Sequence, residues 1–237
     1  MPPRTFIVTG ASRGIGLASS KYLLTAPQSH NVVVIARSVE LLQKLKDQYA
    51  KQVEAVDLAL KSFGHLGGLV LNHGGLGQVG NIAEADPEQW KKRLDLNFIS
   101  LVAFVKAALP PLREPKGRIV FTSPGASVSA FRGWGLYDAS KAAMNHLALT
   151  LAAEEPDVTS VAIDPGLVDT EMQREIREDL VTTMDPQFHL LFTTVHKDGQ
   201  LLKPEQPGHV IARAVIDAPK SLTGKFLPWN DQALEAF

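Results

Sequence analysis

The sequence predicts an α/β fold: a single doubly wound parallel sheet of six strands, with helices on both faces. Three features carry that expectation. Short β-branched apolar runs alternate along the chain with longer stretches of helical period, the order of parallel strands joined by crossover helices. The first of these runs passes through a glycine-rich turn straight into a helix. Farther on, a tyrosine stands four residues ahead of a lysine at the mouth of an Ala-rich helical run.

Taken in order, Thr5-Phe6-Ile7-Val8-Thr9 is the first strand. It ends in Gly10-Ala11-Ser12-Arg13-Gly14-Ile15-Gly16, which opens a helix to about residue 26. Glycines let the backbone turn tightly and approach a pyrophosphate, whose charge then meets the N–H groups and dipole of the helix N-terminus. The turn reads as a phosphate cradle. A second strand at residues 31–36 ends in Arg37-Ser38. In dinucleotide-binding folds the residue after that strand meets the adenosine ribose, an acid accepting from a free 2′-hydroxyl and an arginine accommodating a 2′-phosphate. Arg37, together with Arg13 in the turn, therefore favours NADP over NAD.

Residues 39–50 form an amphipathic helix. Between it and the next strand, residues 69–71, lie only residues 51–66. Val53, Val56, Leu60 and Phe63 follow a helical period, while residues 52–56 also alternate like a strand that would end at Asp57. A strand, a helix of about 11 residues and two loops of about four exceed the space, so a helix over residues 53–63 is expected and the third strand is expected to be missing. The second strand then becomes the edge of the sheet.

Asn72-His73-Gly74-Gly75 follows the residue 69–71 strand at its carboxyl end, where open α/β sheets bind ligands. Asp86 caps the next helix, with Pro87 at its first position and Gln89 at its third. That helix contains Asn97 amid Leu94, Leu96, Phe98 and Ile99, so the amide is either a structural bridge or part of a site. Pro110-Pro111 is expected to end it. A strand at residues 118–122 closes on Ser123-Pro124, and residues 159–163 form another that ends in Asp164-Pro165-Gly166. Between them runs the helix at about residues 136–155, whose Tyr137 and Lys141 stand about one turn apart on one face. An ammonium beside a phenol stabilises its anion and lowers its pKa towards neutrality, which makes a proton-transfer device. Residues 167–205 lack a clear period and read as an irregular lid over a pocket. His189 and His196 there have no metal-like spacing. A helix at residues 207–218 and a strand at residues 224–227 complete the chain, which reads as one domain over residues 1–237.

Composition narrows the function. A net charge of −1, with no basic run interleaved with aromatics, offers no footprint for nucleic acid or an anionic membrane. No uninterrupted apolar stretch approaches about 18 residues. Without a cysteine, disulfides, thiolate metal sites and cysteine nucleophiles are excluded, and a cytoplasmic setting is expected.

Thr9-Gly10-x-x-x-Gly14-x-Gly16, Asn72-x-Gly74, Asn97, Tyr137-x-x-x-Lys141 and Pro165-Gly166 with Thr170 occur in the order found in the short-chain dehydrogenase/reductase family, which the chain resembles over nearly its whole length. Gly133-Trp134, Glu154-Glu155-Pro156-Asp157-Val158 and Asp169-Thr170-Glu171-Met172-Gln173 are similar to its sepiapterin reductase and fungal benzil reductase group. The resemblance implies a Rossmann-type sheet, a homodimer, and hydride transfer between NADP(H) and the carbonyl of a small molecule. It makes Tyr137 the proton donor, Lys141 the residue that tunes it and holds the nicotinamide ribose, and Asn97 the holder of a relay water. Pro165, Gly166, Val168 and Thr170 would line the nicotinamide end, and Asn72 and Gly74 the adenosine half.

Two departures stand against that pattern. The family's serine thirteen residues before the tyrosine is Pro124 here, and Ser123 can replace it only if the strand has already ended or bulges. The missing third strand would remove the aspartate that contacts adenine, a role for which Asp57 could stand in only as the end of a strand. Two functions therefore remain open: an NADP-dependent reductase of ketones or diketones, and a dinucleotide-binding protein with little or no catalysis that acts as a sensor or partner.

Overall fold

Strands β1 (Thr5–Thr9), β2 (Asn31–Ile35), β3 (Val53–Glu54), β4 (Gly68–Leu71), β5 (Arg118–Thr122), β6 (Thr159–Asp164) and β7 (Phe226–Pro228) pair in parallel, in the order 3-2-1-4-5-6-7. The structure, a computed structural model, describes residues 2–25, 27, 29–36, 53–54 and 59–237. The expected α/β class and its six strands are present. The edge expected to be empty carries a stub: Val53 and Glu54 pair in parallel with Val32 and Val33. Of the helix expected over residues 53–63, residues 53 and 54 are strand instead, residues 59–63 form α2 (Ala59–Phe63), and residues 55–58 lie outside the described residues. Both a strand and a helix therefore occur in a segment where only one was expected. Arg37, the expected helix at residues 39–50 and Asp57 lie outside the described residues.

Strands β1, β2, β4, β5 and β6 are buried on both sides, as a covered parallel sheet requires, and their alternation still sorts side chains by face. Phe6 and Val8, Val32 and Val34, Val70, Val120, and Val161 and Ile163 pack with helices α1 (Gly14–Thr25) and α8 (Glu205–Asp217). Ile7, Val33, Leu69 and Leu71, and Ile119 and Phe121 turn the other way. They meet α4 (Ser100–Arg113) and α5 (Gly135–Glu154) through Leu101, Val105, Leu112, Met144 and Leu151.

Asp86 caps α3 (Pro87–Leu94) as expected: its carboxylate accepts from the Glu88 amide at 2.9 Å and from Gln89 Nε2 at 3.1 Å. A π-helical turn, Asp95–Ile99, joins α3 to α4. Pro110 and Pro111 do not end the helix, which continues to Arg113. Pro110 is exposed in the last turn, where the missing amide bonds leave carbonyls that water can reach. The composite helix Pro87–Arg113 is long and apolar enough to cross a membrane by length and composition alone, yet its inward residues cover the sheet. The expected irregular lid contains two helices, α6 (Glu171–Glu178) and α7 (Pro186–Lys197). Asp185 caps the second by accepting from the Gln187 amide at 3.0 Å, with Pro186 in its first turn.

Candidate functional site

Because β2 and β4 flank β1 on opposite sides, the chain's path reverses at β1, and a crevice opens beyond the carboxyl ends of the strands. A cavity of about 1070 Å³ occupies it. Of the residues singled out from the sequence, Gly10, Ser12, Arg13, Gly14, Ile15, Asn72, Gly74, Tyr137, Lys141, Pro165, Gly166, Val168 and Thr170 line this one space. Gly16, Asn97 and Ser123 do not.

At one end is the glycine turn. A Cβ on Gly16 would collide with the Gly10 carbonyl and Asn72 Nδ2, so only glycine lets α1 start this close to β1. Gly10 and Gly14 take positive φ, +67° and +54°. Asn72 braces the cradle from β4, its Nδ2 donating to the carbonyls of Thr9 at 3.3 Å and Gly10 at 3.4 Å. Thr170 closes the far side, its Cγ2 lying 3.2 Å from where a Gly14 Cβ would stand.

At the other end is an aromatic wall. Trp134 stacks on Phe192 at 5.5 Å between centroids and on Phe131 at 5.2 Å, and meets Tyr137 edge-on at 5.8 Å. Leu76, Ala126, Ile176 and Met184 complete this cluster under the lid helices. Phe131 also touches Phe188 of α7 at 5.0 Å.

Tyr137 and Lys141 sit between the two ends. The helical period brings them together as expected, with Lys141 Nζ 5.8 Å from the Tyr137 ring centroid. Lys141 is almost fully buried and donates to the Thr122 carbonyl at 3.2 Å. Burial pushes its pKa down to about 8. The expected lowering of Tyr137 does not occur: burial raises the phenol pKa, and the negative charges of Asp138 and Asp164 add to the shift. Desolvation outweighs the ammonium here, because a phenolate so largely withdrawn from water needs more than one neighbouring cation. Asp138 itself is pushed up to about 6 by burial, against one bond from the Phe131 amide. Asp164 also rises through burial, although the amide of Gly166 donates to it at 2.9 Å.

Asn97 is a bridge. Its Nδ2 donates to the Gly75 carbonyl at 2.9 Å and Ser140 Oγ at 3.1 Å, and its Oδ1 accepts from the Gly75 amide at 3.1 Å. The side chain thus ties the turn after β4 to α5, beside Lys141. Ser123 faces away from the cavity: it is wholly buried, and its hydroxyl reaches only the Lys141 carbonyl, at 3.5 Å. Pro124 lines the wall in its place, and so does Thr122 two residues earlier, as the two-residue alternation of extended backbone requires. Ser127 is no substitute, since its hydroxyl is engaged by Asn145 Nδ2 at 2.7 Å.

Sequence reasoning missed Trp134 as a wall of the site, Asp164 as a second charge near Tyr137, and Arg93, which also lines the cavity. For Arg93 a signal existed, one helical turn before Asn97. Among the described residues no group of three or more His, Asp or Glu could hold a metal ion.

The short chain dehydrogenase family model matches residues 4–181. The chain is 38% identical over 256 residues to benzil reductase ((S)-benzoin forming) of Saccharomyces cerevisiae, covering 98% of this chain and 97% of that protein. It is 30% identical over 226 residues to sepiapterin reductase of Meriones unguiculatus, covering 83% and 85%. The crystal structure of a short chain dehydrogenase/reductase from Saccharomyces cerevisiae superposes with a TM-score of 0.96 at 37% identity, over 99% of each chain.

Proposed function

The chain belongs to the short-chain dehydrogenase family, and from that premise we propose that it is an NADP-dependent reductase of ketones or diketones, with Tyr137 as proton donor. The observation that carries this reading is a buried phenol held in its protonated form at the joint between the glycine cradle and the aromatic wall of one cavity. A phenol with a raised pKa gives up its proton only to a stronger base, and the oxygen of a carbonyl becoming an alkoxide is one.

The residues fit a nicotinamide dinucleotide. The glycine turn, with Ser12, Arg13 and Ile15, would hold its phosphates; Arg37, Asn72 and Gly74 its adenosine half; Pro165, Gly166, Val168 and Thr170 its nicotinamide end. When bound, the nicotinamide supplies the hydride for the carbonyl carbon. Tyr137 orients the carbonyl oxygen and donates the proton, and Lys141, where charged, stabilises the phenolate left behind. Asn97 holds the turn at Gly75 against α5 and so keeps Lys141 in place, with one Oδ1 lone pair left for a relay water. The aromatic wall excludes water and suits a bulky apolar ketone, which agrees with the diketone named for the yeast benzil reductase. The preference for NADP rests on Arg13 and Arg37. A cytoplasmic setting accords with the lack of cysteine. Ile99, Val102 and Leu149, exposed on the helices that flank the sheet, suit a homodimer face, and sedimentation at micromolar concentration reads it.

Pro124 on the wall and Ser123 turned away favour a second reading, a dinucleotide-binding protein with little catalysis. Purified protein given NADPH or NADH and a panel of ketones and diketones separates the two, read by nicotinamide absorbance and by fluorescence quenching. Turnover supports the reductase. Binding without turnover supports the second reading, and turnover with NADH alone refutes the cofactor assignment.

A further inference from the structure

Arg93 lines the cavity as a half-buried guanidinium with no ion pair or hydrogen bond to any described residue. It is not a loose surface side chain. It lies along the turn after β4, where a Cβ on Gly75 would stand 2.5 Å from its Nη1 and a Cβ on Gly77 would stand 2.9 Å from its Cγ and 3.0 Å from its Nε. Two missing side chains make its bed, and Gly77 further requires glycine through φ +79°.

The position of that bed assigns the guanidinium to one end of the cavity. A Cβ on Gly77 would also stand 2.9 Å from Leu136 Cδ2, the neighbour of Tyr137, and a Cβ on Gly74 would stand 3.3 Å from Lys141 Nζ. Leu76, between the two glycines that seat the arginine, belongs to the cluster formed by Trp134, Tyr137 and Phe192. The phosphate cradle is on a different wall, at the start of α1. A planar donor fork held between an apolar wall and a proton donor, with its own hydrogen bonds unmade, matches a carboxylate.

We propose that Arg93 binds a carboxylate of the substrate, so that the preferred substrates are keto acids with an apolar or aromatic body. The body lies against Leu76 and Trp134, the ketone oxygen meets Tyr137, and the acid group meets the guanidinium. This rests on the reductase reading, and the test separates the two.

The probes are benzoylformate and its methyl ester, which differ in the negative charge. Turnover with NADPH and binding to the NADPH-loaded protein, followed by tryptophan fluorescence, are measured for wild type and for Arg93→Gln and Arg93→Lys. Wild type should prefer the acid in kcat/KM by about 10- to 100-fold, the range of a charge-assisted bond. Arg93→Gln should bring that ratio close to one, mainly through KM, and Arg93→Lys should restore part of it. If neither these compounds nor any ketone of the panel is turned over, the reductase reading fails, while tighter binding of the acid that is lost in Arg93→Gln still supports the handle; turnover of other ketones but not of benzoylformate overturns the handle. Equal handling of acid and ester by wild type overturns it. So does a variant that loses NADPH affinity while keeping the acid preference, because the guanidinium would then serve the cofactor's phosphates.

Discussion

Replacing Lys141 by methionine should stabilise the cofactor-free protein near neutral pH while removing its activity. Lys141 is 2% exposed, donates to the Thr122 carbonyl at 3.2 Å and, weakly, to Met144 Sδ at 3.9 Å, and has no carboxylate partner among the described residues. Burial lowers its pKa from 10.5 to about 8. Below pH 8 the amine is protonated in both the folded and the unfolded chain, so the folded state carries the full burial cost. Between about pH 8 and 10.5 the folded chain loses this proton first. The unfolded state then binds more protons, and stability rises with pH until the penalty is gone. The shift of roughly 2.5 units corresponds to about 3 kcal/mol, from which the lost Thr122 bond subtracts about 1. Lys141→Met should therefore be about 2 kcal/mol more stable than wild type at pH 7, worth roughly 4–8 °C, and about equal to it at pH 10. Urea unfolding of both proteins at the two pH values measures this, since every other titrating group is shared. A variant less stable than wild type at pH 7, or a difference that persists undiminished to pH 10, would refute the reasoning. The expected result is the signature of a charge kept for chemistry at a cost in stability.

Tyr137→Phe should lower kcat by about 100- to 10,000-fold with NADPH affinity and melting temperature little changed, because the hydroxyl has no hydrogen-bond partner among the described residues; stopped-flow turnover and calorimetry read both, and retained turnover contradicts the assignment. Pro124→Ser restores a donor on the cavity wall and should raise kcat/KM by about 10-fold or more. No gain in steady-state assays would mean that the wall at residue 124 does not meet the substrate oxygen. Arg37→Asp should shift the kcat/KM ratio from NADPH towards NADH, since a carboxylate repels a 2′-phosphate and accepts from a free hydroxyl. An unchanged ratio would show that the phosphate is read elsewhere.

The parts of this protein that the sequence determined are those in which neighbours along the chain decide the outcome. The glycine turn between β1 and α1 needs positive φ at Gly10 and Gly14, and residue type alone says so. The Asp86 cap lies within three residues, and the helical period puts Tyr137 and Lys141 on one face whatever surrounds them. Even the sorting of Phe6 and Val8 from Ile7 onto opposite faces is local. Tertiary structure decided the rest. Residues 52–56 fit a strand and a helix alike along the chain, and Val53 and Glu54 are strand because Val32 and Val33 lie beside them. Helices α6 and α7 show no clear apolar period along the chain, and distant Phe131 and Trp134 cover their apolar side chains. Whether residue 123 or 124 faces the cavity depends on where β5 stops alternating, which its pairing with β6 sets. Asn97 is a bridge because Gly75 and Ser140 arrive from two other elements. Along the chain Lys141 stands one turn from Tyr137 and argues for a lowered pKa, against the adjacent Asp138. In the fold the phenol is walled by Trp134 and the lid, and its pKa rises, because desolvation is a sum over every neighbour that the topology brings in.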